Sequence, residues 1–385
     1  MGRLEEAREK AVRLIVGLNS GTSMDGVDAL LVRVSGSGDA TVLEPVRLAK
    51  VPHSPALRAR LLRAPDLSCE ETCRLNREVA EVFAAAALYV LRAAGIEPAA
   101  LDLAGSHGQT VCHLPAKDGR TTTLQIGDLD VIAERLGVPV VGDFRAADVA
   151  HGGAGAPLMP ALDRVLFRDR PGTVTLNLGG ITSLTWIGPR GMDPIAFDVG
   201  PANVVLDLLA AHATGGAQSA DLGGRIARRG RIDENLVAGW LAHPFLEAAP
   251  PKTSGREEFG SAHVARLLEA HADRPPEDLL ASHTALVGRS VARAVDRWIP
   301  GGRASVSQVV ASGGGIHNGA LMDGLRAALG AVPVRTLSDA GIDPDAKEAL
   351  LFALLANERL FGVPSNVPSV TGARKSVSLG KIAGG

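Results

Sequence analysis

The sequence predicts an α/β protein built from two similar domains. An apolar strand, a loop of Gly, Ser and Thr, and two further strands open the chain, and a similar series begins about 160 residues later at Thr173. A chain of 385 residues is long enough for two domains. We expect domains at 1–165 and 166–385, with a small-molecule ligand in the cleft between them.

In the first half, strands are predicted around 13–19, 27–34 and 41–51. A long helix is predicted over the segment CEETCRLNREVAEVFAAAALYVLRAAG, and Gly95 is the residue expected to end it. An apolar strand, LDLAGSHGQTV, then leads into another loop of small polar residues.

In the second half, the segment TVTLNLGGITSLTWIG predicts a strand, a loop and a strand. The segment DPIAFDVG continues the series and leads into a helix, PANVVLDLLAAHA, with Pro201 expected in its first turn. No repeat of 20–50 residues is present, which argues against a solenoid.

The composition favours a globular protein with a small-molecule partner. Net charge is −2 and aromatic residues make up 3%, which argues against nucleic acid as a partner. No apolar run is long enough to span a membrane, and the charged N-terminus is not typical of a signal peptide. We therefore expect a cytoplasmic protein. Cys69, Cys73 and Cys112 cannot form a complete disulfide framework. Because Cys112 lies near two histidines in sequence, a metal site is an alternative to buried cytosolic thiols.

Three loops of small residues follow predicted strands: NSGTSMDG (19–26), NLGGITS (177–183) and ASGGGIHNG (311–319). None fits the Walker pattern or the dinucleotide fingerprint. Their backbone could approach a phosphate closely, with N–H groups and hydroxyls as donors. The third loop also runs into a helix, whose N-terminus favours an anion. Each loop is a candidate phosphate site, and a plain glycine turn is the alternative.

Four acids stand beside such loops: Asp25, Asp28, Asp148 and Asp198. A carboxylate facing phosphate is costly unless it binds Mg²⁺ or takes up a proton. For Asp25 and Asp28 the alternative is turn chemistry. For Asp148 the alternative is a helix N-cap or an ion pair with Arg145. The glycines that follow Asp148 permit close ligand approach or a hinge.

Taken together, these segments resemble the anhydro-N-acetylmuramic acid kinase family. The similar segments occur in family order from residue 17 to about 373: SGTSMDGVD, GSHGQTVCH, LQIGDLDVIAERLGVPVVGDFRAADVAHGGAGAPLMP, NLGGITSLT, AFDVGPAN, KTSGREEF, ASGGGIHN and KEALLFALLANERLFGVPSNVPSVTGA.

The resemblance implies an actin/hexokinase-like (ribonuclease H-like) fold, with two similar α/β domains and ATP in the cleft between them. It also implies an ATP- and Mg²⁺-dependent kinase of peptidoglycan recycling. Water would open 1,6-anhydro-N-acetylmuramic acid while O6 receives the γ-phosphoryl group, and a homodimer is a family-level expectation. Two alternatives stay open: an ordinary sugar or anhydro-sugar kinase, and a catalytically silent nucleotide sensor. Asp148, Asp25 and Glu348 are all present, which argues against the silent sensor.

The resemblance also implies residue roles. Asp148 would be the general base and Glu348 would hold the sugar, so these two are the expected catalytic residues, and Asp25 is the expected metal ligand. The expected nucleotide-binding residues are Gly21, Thr22, Ser23, Met24, Asp25, Gly26, Val27, Asp28, Gly179, Gly180, Asp198, Gly200, Gly313, Gly314 and Gly315. The chain departs from the family at Ala154, where Gln is common, and at Leu162 and Asp163, where Phe-His is common. These departures bear on sugar preference.

Overall fold

The computed structural model describes residues 2–114 and 121–384, and the chain forms two compact units. Unit 1 comprises Met1–Leu166 and Asp345–Gly385, and unit 2 comprises Phe167–Pro344. The expected domains, 1–165 and 166–385, differ from these units at the C-terminal end. Residues 345–385 lie in unit 1 because a helix in this segment packs on the strands of unit 1.

The strands, in chain order, are β1 (Val12–Ser20), β2 (Gly26–Ser35), β3 (Val42–Pro52), β4 (Leu103–Leu114), β5 (Thr122–Ile126), β6 (Val140–Gly142), β7 (Thr173–Leu178), β8 (Ile181–Ile187), β9 (Ile195–Pro201), β10 (Gln308–Ser312), β11 (Val334–Thr336) and β12 (Lys381–Ala383).

The α-helices are α1 (Arg3–Glu9), α2 (Pro55–Leu62), α3 (Cys69–Ala93), α4 (Leu129–Leu136), α5 (Ala146–Ala150), α6 (Met159–Phe167), α7 (Asn203–Ala213), α8 (Glu234–Leu241), α9 (Pro244–Glu247), α10 (Arg256–Phe259), α11 (Ser261–Ala270), α12 (Pro276–Trp298), α13 (Gly319–Leu329), α14 (Lys347–Leu360) and α15 (Pro368–Thr371).

The two units contain sheets of the same topology. In unit 1, β1, β2 and β3 form an antiparallel series, β4 pairs parallel with β1, and β6 pairs parallel with β4. In unit 2, β7, β8 and β9 form the same antiparallel series, β10 pairs parallel with β7, and β11 pairs parallel with β10. Unit 1 adds β12 next to β6, and β5 next to β4. The predicted α/β class with two similar halves is therefore confirmed.

The predicted elements are found with small shifts of their ends, and one prediction about Pro201 is wrong. Pro201 was expected in the first turn of a helix, but it is the last residue of β9, opposite Ile181. β9 lies at the edge of its sheet. Proline is tolerated at such an edge because an edge residue need not donate a hydrogen bond to a further strand. Helix α7 begins two residues later, at Asn203.

In unit 1 the central strands bury both faces. Val16 and Leu18 of β1 lie in the core that contains α3, whereas Ile15 lies in the core that contains α14. The alternation is that of a strand covered by helices on both sides. Helix α14 is buried along most of its length.

Two glycines allow α14 to lie directly against the sheet. Gly17 of β1 and Gly105 of β4 are register partners in the parallel ladder. A Cβ at Gly17 would lie 1.9 Å from the carbonyl oxygen of Ala349, and one at Gly105 would lie 2.1 Å from that of Phe352. The absence of a side chain at both positions therefore fixes how close the helix comes.

Unit 2 has its own apolar core, in which residues of α7, α12 and α13 cover the strands. Among the helices that the structure describes, none combines the length and the apolar character needed to cross a bilayer.

Candidate active site

The loop between β1 and β2 borders a pocket of about 550 Å³ in unit 1. Of the predicted nucleotide-binding residues of this loop, those that line the pocket are Gly21, Thr22, Ser23, Asp25, Gly26, Val27 and Asp28. Lys50 of β3 and Glu348 of α14 line it as well. Met24 is the exception, because its side chain packs on the apolar core of unit 1.

Neighbouring strands hold the loop at both ends. The hydroxyl of Ser20 donates to Oε1 of Gln109 at 2.6 Å, and the backbone N–H of His53 donates to the carbonyl of Asp25 at 2.9 Å. Gln109 and His53 were not predicted as site residues. Their contacts show that β3 and β4 set the shape of the loop.

The two acids of the loop differ in environment. Asp25 accepts a hydrogen bond from the Ser23 hydroxyl at 2.8 Å in an exposed position. Asp28 is half-buried, and burial raises its pKa to about 6, with Lys50 opposing the rise and Glu348 and Asp25 adding to it. An acid with this pKa changes charge close to neutral pH, so Asp28 can take up a proton in the pocket.

Glu348 is the first acidic residue of α14 and reaches the end of β1. The amide of Asn19 donates to its Oε2. Lys50, which also lines the pocket, forms an ion pair of 2.8 Å with Asp345, just before the helix. Glu348, which was predicted as a site residue, thus lies at the same pocket as the loop from Gly21 to Asp28.

An arginine and a histidine of unit 1 that were not predicted as site residues contact each other. Nε of Arg145 donates to Nε2 of His107 at 3.0 Å, and Nη1 of Arg145 donates to the carbonyl of Gly155 at 2.7 Å. Burial, together with the charge of Arg145, lowers the pKa of His107 to about 3, so the imidazole is neutral. Burial lowers the pKa of Arg145, and the charge of Glu348 opposes this shift. The signal in the sequence that could have indicated this pair is the family segment GSHGQTVCH, which contains His107.

Asp148 is fully buried, with 0% of its surface exposed. Its Oδ1 accepts from the Thr371 hydroxyl at 2.7 Å and from the Asn366 amide at 2.8 Å. Its Oδ2 accepts from the backbone N–H of Gly155 at 2.8 Å. Neither alternative from the sequence describes it, because Arg145 pairs elsewhere and Asp148 lies inside α5 rather than at its N-cap. Three donors therefore hold the Asp148 carboxylate in one orientation.

In unit 2, two of the predicted loops meet at the carboxyl ends of parallel strands. Gly179 and Gly180 join β7 to β8, and Gly313, Gly314 and Gly315 follow β10. A Cβ at Gly313, where φ is +82°, would lie 2.4 Å from Oδ1 of Asn177. A Cβ at Gly315 would lie 2.7 Å from Cβ of Leu178. The close packing of these two glycine loops requires residues without side chains.

Asp198 lies on β9, which pairs with β8, the strand that follows the loop at Gly179 and Gly180. Its Oδ1 accepts from the Ser183 hydroxyl at 2.6 Å, and its Oδ2 accepts from the backbone N–H of Ser254 at 3.0 Å. Burial raises its pKa, whereas these two hydrogen bonds and Lys252 act in the opposite direction. Gly200 has a packing role in the strand, because a Cβ there would lie 2.5 Å from Leu246.

The described part of the chain contains no group of three or more His, Cys, Asp or Glu side chains arranged to hold a metal ion. His107, one of the two histidines near Cys112 in sequence, accepts a hydrogen bond from Arg145. Mg²⁺ in phosphoryl-transfer sites usually needs only one or two carboxylates, since phosphates and water supply its other ligands. The exposed carboxylate of Asp25 fits that limited requirement.

The comparisons with known proteins support the family resemblance that the sequence shows. The model of the family "Anhydro-N-acetylmuramic acid kinase" matches residues 13–384. The anhydro-N-acetylmuramic acid kinase of Salinibacter ruber is 44% identical, with 100% of this chain and 99% of the relative covered. The kinase of the same name from Caldanaerobacter subterraneus is 41% identical, with both chains covered completely. The one from Gloeobacter violaceus is 42% identical over 96% of this chain and 98% of its own.

Proposed function

The chain belongs to the anhydro-N-acetylmuramic acid kinase family, and we infer that it opens 1,6-anhydro-N-acetylmuramic acid with water and phosphorylates O6. The products are N-acetylmuramic acid 6-phosphate and ADP, and the reaction serves peptidoglycan recycling. The single observation that carries the inference is the family match over residues 13–384 together with relatives of that name over the full length of the chain. Nothing observed favours an ordinary sugar kinase or a silent sensor.

The reaction makes and breaks two bonds. The oxygen of water bonds to C1 of the sugar while the C1–O6 bond breaks, and O6 bonds to the γ-phosphorus while ADP leaves. The proton of the attacking water goes to a general base. Because the phosphoryl group captures O6, one carboxylate base is enough, in contrast to the two acids of a glycosidase.

We propose that the loop from Gly21 to Asp28 binds the ATP phosphates through backbone N–H groups and the hydroxyls of Thr22 and Ser23. Phosphoryl transfer depends mostly on positioning and charge neutralisation, so such a loop can act without a Walker lysine. Asp25 would hold Mg²⁺, which neutralises charge on the phosphates when it is bound. The glycines at 179–180 and 313–315 are proposed to contact the nucleotide from unit 2.

Glu348 is proposed to hold the sugar near its reacting carbon. The support is its position on the pocket wall, where Asn19 fixes one of its oxygens and the other stays available to a hydroxyl of the sugar. A carboxylate that accepts a hydrogen bond from a sugar hydroxyl gives both orientation and affinity.

The general base must be a carboxylate that is held in a fixed orientation towards the attacking water. We propose Asp148 for this role, as the family resemblance implies. The support is its orientation, because Thr371 and Asn366 donate to Oδ1 and the backbone N–H of Gly155 donates to Oδ2. Asp198 is oriented as well, by Ser183 and Ser254, and it is proposed as a nucleotide-binding residue of unit 2.

Two variants test this choice: Asp148→Asn and Asp198→Asn. We expect Asp148→Asn to lower kcat by roughly 10²–10⁴-fold and to keep ATP affinity, because general bases contribute rate enhancements of that size. Thermal unfolding of the same variant shows whether the protein is folded, since Asp148 also accepts buried hydrogen bonds. A folded Asp148→Asn protein with near-normal kcat, next to a folded and inactive Asp198→Asn protein, would move the role to Asp198.

Two further expectations remain proposals. One is a cytoplasmic location, where ATP is available, and the other is a homodimer. Light scattering coupled to size-exclusion chromatography tests the dimer, and a monomer at micromolar concentration would contradict it.

A further inference from the structure

Helix α14 begins with a residue that is unfavourable at that position. Lys347 is the first residue of the helix, and its side chain is only 9% exposed. The N-terminus of a helix carries partial positive charge and so disfavours an ammonium group. Burial of that group is a second cost unless a partner compensates it.

Asp163 of α6 is that partner. Its Oδ1 lies 2.9 Å from Nζ of Lys347, and its side chain is 2% exposed. Most ion pairs in the described part of the chain involve side chains that are far more exposed, such as Arg135 with Glu81. The Asp163–Lys347 pair therefore ties the first turn of α14 to α6 in a place that solvent does not screen.

The next residue along the helix is Glu348, which lines the pocket. Contacts at Gly17 and Gly105 set the distance of α14 from the sheet at Ala349 and Phe352. Those contacts lie on the sheet side of the helix, whereas Asp163 holds its first residue from another element. Together they leave the backbone at Glu348 little freedom.

We propose that the Asp163–Lys347 ion pair is a positioning device that holds Glu348 in register with the sugar. This inference rests on the proposed sugar-binding role of Glu348. The ion pair is buried and lies one residue before Glu348 along α14. Neither residue contacts the reactants, and both act through Glu348.

The key test replaces both charges together. Removal of one partner alone leaves a buried charge and can unfold the protein, whereas removal of both can leave stability unchanged. Asp163→Asn with Lys347→Met is therefore compared with the wild type in thermal unfolding, kcat, KM for the anhydro-sugar and KM for ATP. We expect near-normal unfolding, a fall of about 10–100-fold in kcat/KM for the sugar, and a KM for ATP within twofold of the wild type.

A double-mutant cycle with Glu348→Gln shows whether the pair acts through Glu348. If it does, the pair replacement causes less than a threefold further loss in the Glu348→Gln background. Asp163→Glu, which keeps the charge, is the second variant, and we expect it to lose less sugar efficiency than the pair replacement. Glu81→Gln breaks an exposed ion pair of the same unit and serves as the control, with kinetics unchanged.

Full activity in the folded pair replacement would overturn the inference and leave the ion pair a purely structural role. Losses that multiply independently in the cycle would overturn it as well. Wild-type activity of Glu348→Gln would instead refute the proposed role of Glu348, so the two failures are distinguishable.

Discussion

Replacement of Gly17 by alanine perturbs the contact between α14 and the sheet. The new Cβ would lie 1.9 Å from the carbonyl oxygen of Ala349 and 2.9 Å from the backbone nitrogen of Ala353. Real Cβ contacts essentially never fall below 3.0 Å, so the helix must retreat by about 1.1 Å. The atoms involved are helix backbone, and no flexible side chain can swing aside to make room.

The magnitude follows from this displacement. Overpacking of a close contact typically costs 1–3 kcal/mol, and the rigid neighbour places this substitution near ~3 kcal/mol. In a unit of about 200 residues, that loss lowers the Tm by about 6–12 °C. Glu348 precedes Ala349 and shifts with it, and a misplacement of about 1 Å can reduce the rate by ~100-fold.

Thermal unfolding and steady-state kinetics at a temperature well below the Tm measure the two effects. Gly239→Ala is the matched control, because it makes the same chemical change in the middle of α8, where a Cβ meets nothing within 4 Å. It should leave kcat unchanged and stabilise the protein by about 0.5–1 kcal/mol. A Gly17→Ala protein with wild-type Tm and wild-type activity would refute the reasoning.

Three further predictions concern the acids. The pKa of Asp28 is raised from 3.8 to about 6, so the folded state binds this proton more tightly than the unfolded state does. The stability that the proton contributes is fully present below pH 3.8 and is lost as the pH rises through 6. This pKa difference corresponds to ~3 kcal/mol, which solvent screening at this half-buried site reduces to about 1 kcal/mol. Asp28→Asn should therefore raise the Tm at pH 8 but not at pH 4. Equal changes in Tm at the two pH values would contradict this prediction. Thr371→Val removes a donor from buried Asp148 and should cost about 1–3 kcal/mol in the free energy of unfolding, whereas Thr371→Ser, which keeps the hydroxyl, should not. Asp25→Asn should raise the Mg²⁺ concentration for half-maximal activity by about tenfold, as a Mg²⁺ titration at fixed ATP measures, and an unchanged requirement would remove Asp25 as a ligand.

Local patterns predicted the repeated strands well. Apolar runs interrupted by Gly and Ser marked β1 and β7, and the similar series around them indicated the duplication that the sheet topology confirms. The loop from Gly21 to Asp28 was also predicted from local chemistry, because small polar residues after a strand indicate a phosphate site.

Long-range packing was not predictable in the same way. No local pattern indicates that α14 crosses Gly17 and Gly105, and so the C-terminal residues were assigned to the wrong unit. The environment of Asp148 depends on Asn366 and Thr371, more than 200 residues away in sequence. The residues next to Asp148 in sequence do not indicate these partners.

The mass of the product tests the central claim most directly. The protein is incubated with ATP, Mg²⁺ and 1,6-anhydro-N-acetylmuramic acid, and the sugar product is analysed by mass spectrometry. We predict a gain of one phosphoryl group plus one water, with one ADP formed for each sugar consumed. A gain of the phosphoryl group alone, with the anhydro bridge intact, would contradict the coupled ring opening, and no product at all would contradict the assignment as a sugar kinase.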